Sequence, residues 1–157
     1  MTKSVFYSFD FSNDVHRVQL VRNIGALKGQ VLLEGQKWEA VRQRGPKAIE
    51  AWIDEQMDGK EAVIVLIGTS TASRDWVTYE IEKAWNERIP ILGVKIHGLS
   101  SLGSTSRAGA TPFTNTAIPV FDPTARDSSG RIDSRATYAN LTRDLPSWAG
   151  RGAVSSR

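Results

Sequence analysis

Residues 61–85 read EAVIVLIGTSTASRDWVTYEIEKAW, and this stretch decides the fold. It opens with an unbroken apolar run, Ala62 to Ile67, rich in Val and Ile and closed by Gly68. Such a run predicts a strand buried on both faces, as in the middle of a parallel sheet. A small polar loop follows, Gly68-Thr69-Ser70-Thr71, and a helix is expected from about Ser73. In an open parallel sheet, ligands bind beyond the carboxyl ends of the strands. The loop and the first turns of this helix are therefore where chemistry is expected.

Outward from this centre, strand and helix patterns alternate. Upstream, Ser4 to Phe9 is β-branched and aromatic and predicts a first strand. The polar loop Asp10 to Asp14 offers N-cap residues. Val15, Val18, Val21, Ile24 and Leu27 recur every three residues and predict a helix through Leu27. Val31 to Leu33 is expected as a short second strand. The segment 34–45 is read as a polar loop that holds Trp38. Pro46 suits a helix's first turn, and Ile49, Trp52, Ile53 and Met57 give that helix an apolar stripe. Trp52 and Trp85 are both assigned to the core.

Downstream, Ile89 to Ile96 predicts another buried strand, and Ala117 to Phe121 one more. Between them, residues 97–116 are rich in Gly, Ser and Thr and read as a long flexible loop. Residues 122–131 are rich in turn formers. Ser134 to Leu145 is expected as a closing helix. One domain over 1–148 and a disordered tail over 149–157 complete the expectation. The pattern predicts an open parallel α/β sheet of about five strands joined by right-handed crossovers.

Bulk properties narrow the function. The 157 residues are 40% hydrophobic and 24% charged, as in ordinary globular proteins. A net charge of +3 does not by itself mark a nucleic-acid binder, and no nucleic-acid or membrane partner is expected. With no cysteine, a thiolate nucleophile and thiolate zinc sites are excluded, and a cytoplasmic location is the default. No apolar stretch approaches the ~20 residues of a membrane span. Neither the Walker phosphate-loop motif nor the G-x-G-x-x-G fingerprint occurs. A phospho-accepting Asp is missing from the end of the central strand, where Gly68 and Thr69 stand. His16 and His97 lie far apart, and no metal site is expected.

Glu80 is the candidate acid. On a helical wheel Val77, Ile81, Ala84 and Trp85 form the apolar stripe, and Glu80 projects at its edge, one turn after Trp76. A carboxylate beside an indole at the core–solvent boundary can be tuned by its surroundings. Set against this is a plain surface Glu, the expectation for Glu82 and Glu87. Thr69, Ser70 and Thr71 offer N–H groups and hydroxyls as a phosphate cradle. The first loop, Ser8 to Asn13, brings Phe9 and Phe11 for stacking, although helix capping and core packing also explain these residues. Together they suit a nucleotide whose glycosidic bond is broken through an oxocarbenium-like transition state.

The segments VFYSFD, KWEAVRQRGPKAIEAWIDEQM, VIVLIGTSTASRDWVTYEI and ILGVKIH resemble the TIR-like family of bacterial Thoeris anti-phage systems. The resemblance covers about residues 4–97 and is loose beyond. In the wider TIR family a first-strand box resembles Val5-Phe6-Tyr7-Ser8-Phe9. The S-x-x-W-C-x-x-E-L box resembles residues 73–81, with Val77 for the Cys and Ile81 for the Leu. The resemblance implies a flavodoxin-like parallel sheet with helices on both faces, and Glu80 as the catalytic glutamate of an NAD+-cleaving enzyme, with NAD+ as substrate and no separate cofactor. Ser8, Phe9, Asp10 and Asn13 would line the nicotinamide and ribose side, Thr69 to Thr71 would face phosphates, and Trp38 and Trp76 are candidate walls, with core packing the favoured role for Trp76. The product would be a cyclic ADP-ribose isomer or an ADP-ribose conjugate that reaches an effector by diffusion. A phage-derived trigger and self-association are further implied. A non-catalytic TIR-like interaction module, or a nucleoside deoxyribosyltransferase-like enzyme, remains as an alternative.

Overall fold

The computed structural model describes residues 3–30 and 40–156. In chain order the elements are β1 (Lys3–Ser8), α1 (Phe11–Asn23), β2 (Leu27–Lys28), α2 (Pro46–Met57), β3 (Ala62–Ile67), a 3-10 turn (Thr71–Ser73), α3 (Asp75–Asn86), β4 (Ile91–Lys95), β5 (Val120–Phe121) and α4 (Ser134–Trp148). The five strands form one sheet, all parallel, in the order β2-β1-β3-β4-β5. This is the flavodoxin-like order, and the chain reverses direction across the sheet between β1 and β3.

The apolar run Ala62–Ile67 becomes the central strand because both its faces are covered. Its six residues are at most 1% exposed. Ala62, Ile64 and Leu66 pack with Val18 and Val21 of α1 and Leu141 and Leu145 of α4. Val63, Val65 and Ile67 pack with Ile49, Ile53 and Met57 of α2 and Val77 and Ala84 of α3. Alternate side chains of one strand thus feed two cores, one on each side of the sheet.

Several boundaries depart from the sequence pattern. Helix α1 begins at Phe11, where Asp10 caps it by accepting from the Ser12 N–H at 3.1 Å, and it stops at Asn23. Gly25 follows with φ +74°, a left-handed conformation that ends the helix, and Leu27 pairs in β2 instead of extending α1. The second strand expected at 31–33 and Trp38 lie outside the described residues. Beyond the two-residue β2, the side chain of Gln30 continues the ladder. Its Oε1 accepts from the Tyr7 N–H at 2.8 Å, and its Nε2 donates to the Tyr7 carbonyl at 2.7 Å.

The closing helix α4 runs to Trp148, three residues past the expected Leu145, with Pro146 in its last turn. The stretch expected as a disordered tail folds back on the sheet. Ala153 exchanges two backbone hydrogen bonds with Ile91, each 2.8 Å, and the Arg151 guanidinium lies 5.0 Å from the Phe121 ring centroid. The loop over 97–116, expected to be flexible, is likewise pinned. The Arg17 guanidinium donates to the carbonyls of Leu99 (2.9 Å) and Ser104 (3.2 Å), and the Thr69 hydroxyl donates to the Arg107 carbonyl at 2.6 Å. Gly109 sits against the carbonyls of Gly68 and Thr69 so closely that a Cβ would collide with both. Among the described residues, no helix is long and apolar enough to cross a membrane.

Candidate functional site

The α3 stripe carries Glu80 inward. Val77 and Ala84 are 1% and 0% exposed, and Glu80, on the same side, is 8% exposed. The wheel places Glu80 at a boundary; the tertiary structure closes that boundary with β1. The Ser8 hydroxyl, at the carboxyl end of β1, donates to Glu80 Oε1 at 2.7 Å. Burial pushes the Glu80 carboxyl up to about 8, against the Ser8 hydrogen bond, which works in the opposite direction. Loss of hydration outweighs one neutral donor, so the acid is held largely protonated at neutral pH.

Glu80 lines a pocket of about 290 Å³ at the switch between β1 and β3. Phe9, Phe11, Trp52 and Trp76 supply its aromatic walls, and Asp10, Gln30, Arg42 and Arg74 its polar lining. The Phe9 and Phe11 rings lie 6.1 Å apart, tilted by 32°. Trp76 packs edge-on against Tyr79 at 5.7 Å. The Tyr79 hydroxyl donates to Asp54 Oδ1 at 2.8 Å, which ties α3 to α2 and holds the two tryptophan-bearing helices together. The Asp10 carboxylate accepts from the Ser12 N–H and, at 2.8 Å, from Asn13 Nδ2, and pairs with Arg74 Nε at 3.0 Å. One side chain therefore caps α1 and latches the first loop to the residue preceding α3.

Of the residues named from sequence, the pocket brings together Phe9, Asp10, Trp76 and Glu80, with Ser8 behind Glu80. Asn13 does not line it and instead braces Asp10. Thr69, Ser70 and Thr71 stand apart from it. The Thr71 hydroxyl is fully buried and accepts from the Gly68 N–H at 2.7 Å, the Thr69 hydroxyl serves Arg107, and the Ser70 carbonyl serves the Ser73 hydroxyl. The Thr69 and Thr71 hydroxyls of the expected phosphate cradle are thus engaged within the protein, that of Thr69 by the long loop. Trp52, assigned to the core from its stripe, packs against that core and also walls the pocket. Arg74 was missed, although its place inside the S-x-x-W box puts it two residues before Trp76. Arg42 and Gln30 had no local signal.

The histidines lie elsewhere. His97 is 4% exposed, its Nε2 is 3.4 Å from the Thr124 hydroxyl, and burial lowers its pKa. His16 is exposed on α1.

The parallel order, the switch-point pocket and the buried glutamate paired with a first-strand serine define a TIR-like α/β domain. A family model described as Thoeris protein ThsB, TIR-like domain, matches residues 6–101, more than half of the chain, and the chain belongs to that family. It is also 29% identical over 119 residues to a Bacillus cereus (strain MSX-D12) protein named "Putative cyclic ADP-D-ribose synthase ThsB1". That alignment covers 72% of this chain and 62% of the relative, so the chain spans less than two thirds of the relative's length.

Proposed function

We propose that this chain is an NAD+-cleaving enzyme of anti-phage defence that makes an ADP-ribose-derived signal for a separate effector. The observation that carries this reading is the buried Glu80 carboxyl, bonded to Ser8 and set in an aromatic pocket. The name of the Bacillus cereus relative supports the same chemistry. NAD+ is substrate here, and no further cofactor takes part.

In this mechanism the flat nicotinamide ring lies among Phe9, Trp52 and Trp76, with its ribose toward Glu80. The glycosidic C–N bond breaks heterolytically, nicotinamide leaves neutral with the bonding electrons, and positive charge develops on the ribose. The Glu80 carboxylate stabilises that charge in a site of low dielectric. An oxygen nucleophile, either water or a hydroxyl of the same substrate, adds to the anomeric carbon and passes its proton to the Glu80 carboxylate, which returns to its protonated form. The pyridinium charge of bound NAD+ favours the ionised form of Glu80, so substrate itself draws the acid toward its working state.

The test is incubation of the purified chain with NAD+, with and without lysate of phage-infected cells, followed by mass spectrometry for nicotinamide and ADP-ribose species. Glu80→Gln is expected to lose activity by roughly 10²- to 10³-fold. Equal behaviour of wild type and variant under every condition would sink the enzymatic reading.

A further inference from the structure

The size of the pocket limits what enters it. At about 290 Å³ it lies at the lower end of ligand pockets, which run from ~300 to 1,000 Å³. That is room for a nicotinamide and its ribose, so a dinucleotide must leave its diphosphate at the mouth. A diphosphate needs a cation, and residues 8–13 of the first loop contain no Lys or Arg.

Two cations line the pocket instead, Arg42 and Arg74, and the second stands at the start of the glutamate-bearing helix. Arg74 lines the pocket, its side chain is 44% exposed, and it is the residue from which α3 springs. Of its guanidinium nitrogens Nε lies nearest Asp10, 3.0 Å from Oδ2. A guanidinium carries five donors in a fork, so one anchored on its Nε side can turn its terminal nitrogens toward a second oxyanion. Asp10 in turn takes neutral donors from Ser12 and Asn13, so its charge is satisfied without the whole guanidinium.

We propose that Arg74 is the diphosphate-binding residue of this pocket, and that Asp10 holds its guanidinium at the mouth by gripping Nε. The proposal rests on the function given above. Arg74 thereby distinguishes a dinucleotide from a bare nucleoside, while the aromatic walls and Glu80 treat both alike. A planar fork preset by one contact loses little freedom when an oxyanion arrives.

The test compares binding of NAD+ and of nicotinamide riboside, which has no phosphate, to the full chain by calorimetry and tryptophan fluorescence. Wild type is expected to prefer NAD+. Arg74→Ala is expected to weaken NAD+ on the order of 10- to 100-fold while leaving nicotinamide riboside unchanged. Arg74→Lys keeps the charge but not the fork, so it should recover part of the loss. Unchanged nicotinamide riboside binding also shows that the Asp10 latch is dispensable for folding. If Arg74→Ala weakens both ligands equally, Arg74 is only a latch; if it weakens neither, the phosphates bind elsewhere. Either result overturns the assignment of Arg74 alone. Failure of wild type to bind either ligand overturns it together with the function beneath it.

Discussion

At the scale of single residues, the buried Glu80 carboxyl, to which we assign the chemistry, carries a stability cost. The native state holds a proton on Glu80 up to about pH 8, whereas the unfolded chain releases it near the ordinary 4.5. The folded form therefore binds more protons in that window, and stability must fall as pH rises through it and level off above. The full difference is about 5 kcal/mol. Asp14 adds to it with the same sign, because burial raises its pKa despite the Arg17 partner at 3.2 Å. Glu80→Gln removes the ionisable group and keeps an acceptor for Ser8. In thermal melts it should be more stable than wild type at pH 9, by a few kcal/mol, with the gap vanishing near pH 4. A constant gap at all pH values would mean that Glu80 does not titrate as stated. Ser8→Ala withdraws the one hydrogen bond that lowers the Glu80 pKa. The ascending limb of kcat/KM against pH, which reports the free enzyme, should then move to higher pH.

At the scale of elements, the legible features were those whose information is local. The six-residue apolar run and the three- and four-residue spacing of Val77, Ile81 and Ala84 mark β3 and α3 and put Glu80 at the edge of the stripe, while its burial comes from β1, where Ser8 meets it. Periodicity states that a side chain faces inward but not whether it also meets a cavity, and Trp52 does both, packing on the core and walling the pocket. The loop over 68–71 misled for a related reason. Its donors suit a phosphate, but Arg107 and Gly109, some forty residues downstream, fold onto it. Gln30 was invisible because nothing in one sequence marks a side chain that acts as a strand. Its loss is correspondingly costly. Gln30→Ala should leave the buried Tyr7 amide and carbonyl without partners and destabilise by about 1–3 kcal/mol in denaturant titration, against near-neutrality for a surface Gln such as Gln43. Gly109→Ala should free the loop from the end of β3, because the added Cβ meets two backbone carbonyls that cannot move aside as a flexible side chain would. Faster amide exchange confined to the loop around residue 109 is the expected readout.

At the scale of the whole molecule, the sheet sets an order of stability that places the site at a boundary. β3 pairs on both sides, with β1 and β4, and is sealed on both faces, whereas β2 and β5 are two-residue edges. The overall architecture was legible because alternating strands and helices leave few ways to cover a parallel sheet. The C-terminal closure was not, because the exchange between Ala153 and Ile91 joins residues sixty-two apart through backbone alone, which no side-chain pattern announces. That closure matters for β4, whose Ile91 N–H is capped by Ala153, while the paired Gly93 N–H is served by Pro119. Native-state hydrogen exchange should thus rank β3 slowest, with opening near the global unfolding free energy. Amides near β2 and β5 should open first, at a few kcal/mol less. Gly152→Val offers the sharper test, since a side chain there would press on Pro90 and the Ile91 N–H. It should release the tail and raise exchange at Ile91 and Ala153. Exchange at Ser8 and around Glu80 should stay unchanged, because that site is built on β1 and α3 and owes nothing to the tail. If the pocket amides speed up with those of Ile91, the two ends of the sheet open as one unit, and the pocket is not an independent part of the fold.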